Sequence, residues 1–286
     1  MVKERLKRTL MVAGRLVPRN PERRVVVLCY HSIHPHKPFA SATPGLFAEH
    51  LAWLSKHCDC IPFSDVIEVA GRSDRNRPAV AITFDDGHAD NFDVALPLLE
   101  QGGLQATFFV TVGLVEQDSE VIDRFLRTRG PYEDIRPLTW GQVVELRRRG
   151  MDVGAHSYSH PNLAGLEPDR LIWELARAKE IMEERVGEEV TMMAYPFGKP
   201  KRHFTIEVIE MVERVGYRRA AAVLYRSVRP SDSPFAIPRF FMTGDSVEAL
   251  ADKVLGRMDI LGTVQERMPL WAAKIVSPVD FRIPEA

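Results

Sequence analysis

Two adjacent carboxylates close a β-branched apolar run in Thr83-Phe84-Asp85-Asp86-Gly87-His88. Side by side at a strand end they repel, and burying both is unfavourable unless a cation or a proton relieves them. A divalent metal resolves the conflict: one Asp coordinates while its neighbour takes a proton from bound water. Taken alone the motif also fits an acidic surface turn or a helix N-cap. A second group, His156-Ser157-Tyr158-Ser159-His160, sets two imidazoles four residues apart. That spacing lets both reach one ion from a helix or from a tight turn. The pair follows an apolar segment and precedes Pro161, which favours the turn; two surface histidines are the bland alternative. One Asp with two His makes three protein ligands and leaves positions for water and substrate, the pattern of a catalytic metal site. Zn²⁺ is the expected ion, and such a donor mixture also suits other divalent first-row metals.

These groups need elements that bring them together. Arg24 to Tyr30, Pro78 to Phe84 and Gln105 to Val112 are β-branched or aromatic runs that predict buried strands. Met151 to Ala155, Val190 to Tyr195, Arg219 to Leu224 and Ala236 to Met242 add four more. Between them lie helical patterns: Leu46 to Leu54 behind Ser41-Ala-Thr-Pro44, Asp93 to Gln101, a segment capped by Thr139 and ended by Gly150, Pro168 to Val186 closed by Gly187, Ile206 to Val215 stopped by Gly216, and Val247 to Leu255. Alternation of this kind predicts an α/β chain with a parallel sheet in a single domain. About seven strands favour a distorted (β/α) barrel, complete or incomplete, over a doubly wound sheet. The polar motifs Tyr30-His31, Asp85-Asp86-Gly87, His156 and Tyr195-Pro196 all follow apolar strands. Parallel strands gather such positions on one face.

Phe84-Asp-Asp-Gly87, His156-Ser-Tyr-Ser-His160 and Tyr195-Pro-Phe-Gly198 occur in the order found in the polysaccharide deacetylases of carbohydrate esterase family 4, and from about Val25 to Phe241 the chain resembles that family. The resemblance implies a distorted (β/α) barrel and a Zn²⁺-type ion held by Asp86, His156 and His160, with Asp85 as general base. It further implies that Tyr195 and Pro196 line the substrate groove, with a backbone N–H near Tyr195 helping to hold an oxyanion. Two features depart from the family pattern. Ala194 stands where many members carry an Arg that orients the catalytic Asp. The nine histidines are 31, 34, 36, 50, 57, 88, 156, 160 and 203, so no C-terminal His can act as general acid. His31, in Tyr30-His31-Ser32-Ile33, resembles the Tyr-His motif of a subgroup that supplies these roles from the N-terminal side, and is the expected acid; a buried His at a strand end is the alternative. Arg239, in Ile237-Pro238-Arg239, is the candidate replacement for the missing Arg, against a surface ion-pair partner. His88, Trp140 and Cys58-Asp59-Cys60 are expected to be structural.

The activity expected from these residues is metal-dependent hydrolysis of an N-acetyl group on an amino sugar within a polysaccharide or glycoconjugate. Two alternatives stay open: a hydrolase of a small or lipid-linked amide, and an inactive carbohydrate-binding relative. With 38 basic against 39 acidic residues, the charge carries no nucleic-acid footprint. Three cysteines do not form a secreted disulfide framework, which points to the cytoplasm. Residues 1–23 form a basic leader whose apolar stretch, Leu10 to Val17, is too short to span a bilayer; the leader is able to touch an anionic membrane surface, against a frayed solvated terminus as the alternative. Residues 24–265 are expected to be the catalytic domain and 266–286 a C-terminal extension.

Overall fold

The computed structural model describes residues 23–36, 41–129 and 136–267. Most of the leader and most of the C-terminal extension lie outside them. The run Val25–Tyr30 forms β1 and is wholly buried. It pairs in parallel with β3 (Ala79–Phe84), Val25 opposite Ala79 and Tyr30 opposite Phe84. The strand order continues through β4 (Ala106–Val110), β5 (Asp152–Ala155), β6 (Met192–Ala194) and β7 (Arg219–Ala221) on one side of β3, and through β8 (Phe240–Phe241) beyond β1. Every paired strand is parallel. A short β2 (Asp59–Cys60) lies against the start of β3, where Asp59 faces Ala79 and Cys60 faces Val80.

The two ends of this sheet curl toward each other and meet at one isolated parallel bridge, Ala221 to Ile237, where Ala222 N–H donates to Ile237 O and Ile237 N–H to Ala220 O. The result is the expected distorted, incomplete (β/α) barrel in a single domain. The last strand is shorter than the run Ala236–Met242 suggests, because Pro238 has no N–H to give to a ladder. Strand β4 also stops early: the chain turns at Thr111 into a short helix.

Helices α1 (Pro44–His57), α2 (Val66–Ala70), α3 (Leu96–Gln101), α4 (Val112–Val115), α5 (Ser119–Arg129), α6 (Trp140–Arg148), α7 (Pro168–Val186), α8 (Ile206–Val215), α9 (Val247–Val254) and α10 (Asp259–Arg267) surround the sheet. Their ends follow local chemistry. Thr43 caps α1 through Leu46 N–H, and Thr139 with Gln142 forms a capping box on α6. Gly187 closes α7 at φ 78° and Gly216 closes α8 at φ 101°. Strand β2 and helices α2, α4, α5 and α10 were not expected from the sequence; β2, α2 and α4 are too short for a periodic signal.

Strand pleat divides the core in two. Val26, Leu28, Tyr30, Val80, Ile82, Phe84 and Phe108 point outward against the helices. Val25, Val27, Ala79, Ala81, Phe109, Ala194, Ala221 and Ile237 point into the barrel. The same alternation sends Cys29, Thr83, Asp85 and Arg239 inward at its upper end. Parity along β1, β3 and the start of β8 therefore decides which polar side chains meet.

Candidate metal centre and active site

At the end of β3 the backbone leaves the strand through two left-handed residues, Asp86 at φ 75° and Gly87 at φ 83°. Asp tolerates this region better than most side chains, and Gly adopts it freely. A Cβ on residue 87 would come within 3.3 Å of Val110, so the turn is also tight. Asp85 N–H donates to Tyr30 O at 2.9 Å, which ties this corner to the end of β1. Both carboxyl groups are almost wholly buried.

Asp86 Oδ1 lies 3.5 Å from His156 Nε2 and 3.3 Å from His160 Nε2. Donor atoms of the three residues all lie within 4.8 Å of one another. A tetrahedral ion with bonds of about 2.0–2.1 Å separates its ligand atoms by roughly 3.3–3.4 Å, so the observed spacing fits one. The imidazole chemistry fits too. His156 Nδ1 is 2.8 Å from Ala194 O, a pure acceptor, so the ring hydrogen sits on Nδ1 and the Nε2 lone pair faces the centre. Burial lowers the His156 pKa to about 4, against the pull of Asp85 and Asp86, which keeps the ring neutral. Ala194, where many family members have Arg, thus serves the site through its carbonyl.

Asp85 stands apart from this trio in what holds it. Arg239 is completely buried, and its guanidinium forks onto both carboxylate oxygens at 2.7 Å each. A third bond runs from the same Nη1 to Thr83 Oγ1 at 3.1 Å, and Nε donates to Ala222 O at 3.3 Å. Burial pushes the Asp85 carboxyl up, but Arg239 and the neighbouring His156 and His31 outweigh it and hold the group at about 2. The same ion pair raises Arg239 well above its ordinary value despite burial. Cys29 Sγ donates to Asp85 Oδ2 at 3.3 Å. Cys29, His31 and Asp85 also bring three donor atoms together. That trio is the poorer metal site, because burial raises the Cys29 thiol well above its usual range and Arg239 already saturates Asp85.

His31 is nearly buried at the end of β1, its Nε2 3.9 Å from Asp86 Oδ2 and its ring 4.5 Å from Phe241. The loop that carries it is pinned from the next corner: Asn91 Nδ2 donates to His31 O at 2.7 Å, and Asp90 accepts from Ser32 and from Ile33 N–H. His88 also faces Asp86, with Nε2 3.4 Å from Oδ2. The pocket over these groups is lined by His31, Asp85, His156, His160, Tyr195, Phe197, Lys199, Val223, Tyr225 and Phe241.

One expected contact is corrected. The Tyr195 backbone N–H donates to Ala221 O at 3.1 Å, and its hydroxyl donates to Phe235 O at 2.9 Å. Its ring stacks on Phe204 with centroids 3.9 Å apart. Tyr195 lines the pocket, but its own N–H is engaged by the sheet, so among the backbone positions near it the Tyr195 N–H is not the one aimed into the pocket, and Pro196 has no N–H to offer. Sequence reading also passed over Cys29 and Asn91, which bond Asp85 and His31, and Asp90 and Glu174, which hold the loops that carry His31 and the two imidazoles. A buried polar residue within an apolar strand or helix stripe was the available signal.

Comparison with known proteins agrees with this fold. The family model described as polysaccharide deacetylase matches residues 72–220, just over half of the chain. The chain belongs to the polysaccharide deacetylase family. The matched residues include both aspartates, both imidazoles and Tyr195, while His31 and Arg239 fall outside them. YxkH of Bacillus subtilis, which carries a polysaccharide deacetylase name, is 24% identical over 197 residues, 68% of this chain and 63% of its own length. A peptidoglycan-N-acetylglucosamine deacetylase of Bacillus cereus is 27% identical over 125 residues, 43% of this chain and 38% of its own. The chain therefore spans less than two thirds of these curated relatives. The structure of IcaB from Ammonifex degensii superposes with a TM-score of 0.67 at 26% identity, covering 82% of this chain and 97% of that one. Among the described residues no helix is long and apolar enough to cross a membrane.

Proposed function

We propose that this chain is a divalent-metal hydrolase that removes the N-acetyl group from an amino sugar of a polysaccharide or glycoconjugate, with residues 24–265 as its catalytic domain. The observation that carries the reading is a three-donor set of one carboxylate and two imidazoles beside a second carboxylate that Arg239 keeps ionised and fixed in orientation. The Bacillus cereus relative is named for deacetylating N-acetylglucosamine in peptidoglycan, which supports the acetamido group as target.

Asp86, His156 and His160 would hold the ion, for which we assign Zn²⁺. When bound, it supplies polarisation of the amide carbonyl and a water whose pKa falls from about 15.7 toward roughly 7. The chain's own residues supply the rest. Asp85 accepts the proton of the attacking water, and Arg239 holds its carboxylate ionised and in fixed orientation for that step. His31, across the pocket from His156, gives its proton to the leaving amine at Nε2. Phe197, Tyr225 and Phe241 form apolar walls that limit water around the reacting atoms. Cytoplasmic location, with the basic leader able to meet a membrane surface, belongs to the same proposal and is tested by fractionation.

The decisive experiment combines metal quantification on purified protein with a deacetylation screen over N-acetylglucosamine oligomers and small amides. Asp85→Asn should lose turnover and keep its metal, whereas His156→Ala should lose both. Near-wild-type turnover in Asp85→Asn would remove Asp85 as base. Metal bound with no turnover on any substrate would favour a binding protein instead.

A further inference from the structure

The two imidazoles of the metal centre sit on a loop that two residues hold in an unfavourable shape. Ser157 has φ 60° and His160 has φ 55°, both in the left-handed region that residues with a Cβ avoid. Contacts from inside and outside the loop keep it there. Its carbonyl side rests on α4: Val112 N–H donates to Ser157 O at 3.3 Å and Gly113 N–H to Tyr158 O at 2.8 Å. Inside the loop His160 N–H donates to Ser157 Oγ at 3.0 Å, and Tyr158 N–H also reaches the Glu174 backbone carbonyl at 3.2 Å. The remaining support of the loop's N–H side is one carboxylate. Glu174, on α7 and wholly buried, accepts from Tyr158 N–H at 3.1 Å and from Ser159 N–H at 2.8 Å, both on Oε2. Its Oε1 accepts from Ser159 Oγ at 2.6 Å and from Arg170 at 2.7 Å.

Burying a carboxylate in a helix stripe is unfavourable, and a hydrophobic residue there would pack as well. Of its four donors, three come from the residues between His156 and His160, and Arg170 is partly exposed. The bond network thus serves the loop more than the helix. Fixing Tyr158 and Ser159 fixes the turn angle between the two ligands, and with it the separation of their nitrogens around Asp86.

We propose that Glu174 is a positioning residue of the metal centre: by holding the Tyr158 and Ser159 amides it sets the His156–His160 geometry and hence the affinity for a divalent ion. This rests on the metal reading above. Outer partners that orient metal ligands commonly change affinity by about 10- to 100-fold when removed.

The test measures Zn²⁺ affinity by competition with a chromophoric chelator, beside the unfolding midpoint of the metal-free protein. Glu174→Ala should weaken Zn²⁺ binding by about 10- to 100-fold. Glu174→Gln should stay close to wild type, because its amide oxygen can take the two peptide N–H groups and its NH₂ can donate to Ser159 Oγ, while Arg170, partly exposed, turns its guanidinium to solvent. Glu174→Asp keeps the charge but withdraws it by one methylene, and should weaken binding about tenfold. If Glu174→Ala does not fold, the Gln and Asp variants carry the comparison. Zn²⁺ affinity unchanged in Glu174→Asp, with only the metal-free midpoint lowered, would reduce Glu174 to a folding role and overturn the inference. Binding weakened as much in Gln as in Asp would overturn the hydrogen-bond account. Wild-type protein that takes up no Zn²⁺ would overturn the metal reading itself, a result distinct from either.

Discussion

Asp85 keeps its charge inside a barrel that would otherwise drive it to protonate, and the residue that permits this is Arg239, 154 positions away in sequence. Breaking a buried pair from one side leaves an uncompensated charge. Arg239→Met should therefore lower unfolding free energy by about 3–5 kcal/mol in denaturant titrations. Arg239→Lys, which keeps charge but not the two-pronged fork, should fold better and still turn over at least about tenfold more slowly. A wild-type rate in Arg239→Lys would show that orientation of Asp85 is not what Arg239 contributes. His203 gives a pH signature. Burial, with Lys199 and Arg202 nearby, lowers its pKa to about 3 from 6.5, and its Nδ1 accepts from Lys199 N–H at 3.2 Å. A folded-state pKa below the unfolded one stabilises fully above 6.5, and the contribution is lost as pH falls toward 3. Between pH 6.5 and 5 this one group should cost roughly 2 kcal/mol, read as the difference between wild type and His203→Asn. Equal pH slopes in the two proteins would exclude it.

Among the elements, β5 is the one whose construction controls the site, because His156 continues directly from it. Gly154 shares the inward face with His156. A Cβ there would lie 2.7 Å from Met192 O and from the Phe109 ring. The Phe109 ring occupies the space a side chain would need, which packs the barrel floor beneath Arg239, whose guanidinium carbon stands 5.5 Å from that ring. Gly154→Ala should destabilise by about 1–3 kcal/mol and displace His156 as the strand bows away. The check is thermal unfolding with and without Zn²⁺: the variant should gain less from metal than wild type does. Helix ends, by contrast, obeyed rules visible in one segment. Thr139 with Gln142, Gly187 and Gly216 fall where capping chemistry puts them.

At the scale of the molecule, the proposed ion would join the end of β3 to the loop after β5, segments 70 or more residues apart that also bound the pocket. A ligand that binds only the folded form stabilises it by about 2.7 kcal/mol at one hundred times its Kd. Zn²⁺ should accordingly raise the unfolding midpoint, and a chelator should return it to the metal-free value while far-ultraviolet circular dichroism stays unchanged. A midpoint insensitive to both would count against an ion at this site. The seam of the curled sheet carries the isolated bridge Ala221 to Ile237 together with Ala220 N–H to Pro234 O and Arg239 Nε to Ala222 O.

The sequence by itself determined the parallel strand–helix alternation, the strand-end location of the polar motifs, and the Asp-His-His set. These rest on periodicity, turn chemistry and short spacings, which act over a few residues. Tertiary structure alone decided that Arg239 points inward to Asp85 rather than out to solvent, that Tyr195 N–H is consumed by β7, and that Glu174 reaches back to the histidine loop. The reason is parity and closure. Which face of a short strand is interior depends on its partners, and Ile237-Pro238-Arg239 acquires its partners only when the sheet curls and β8 meets β1.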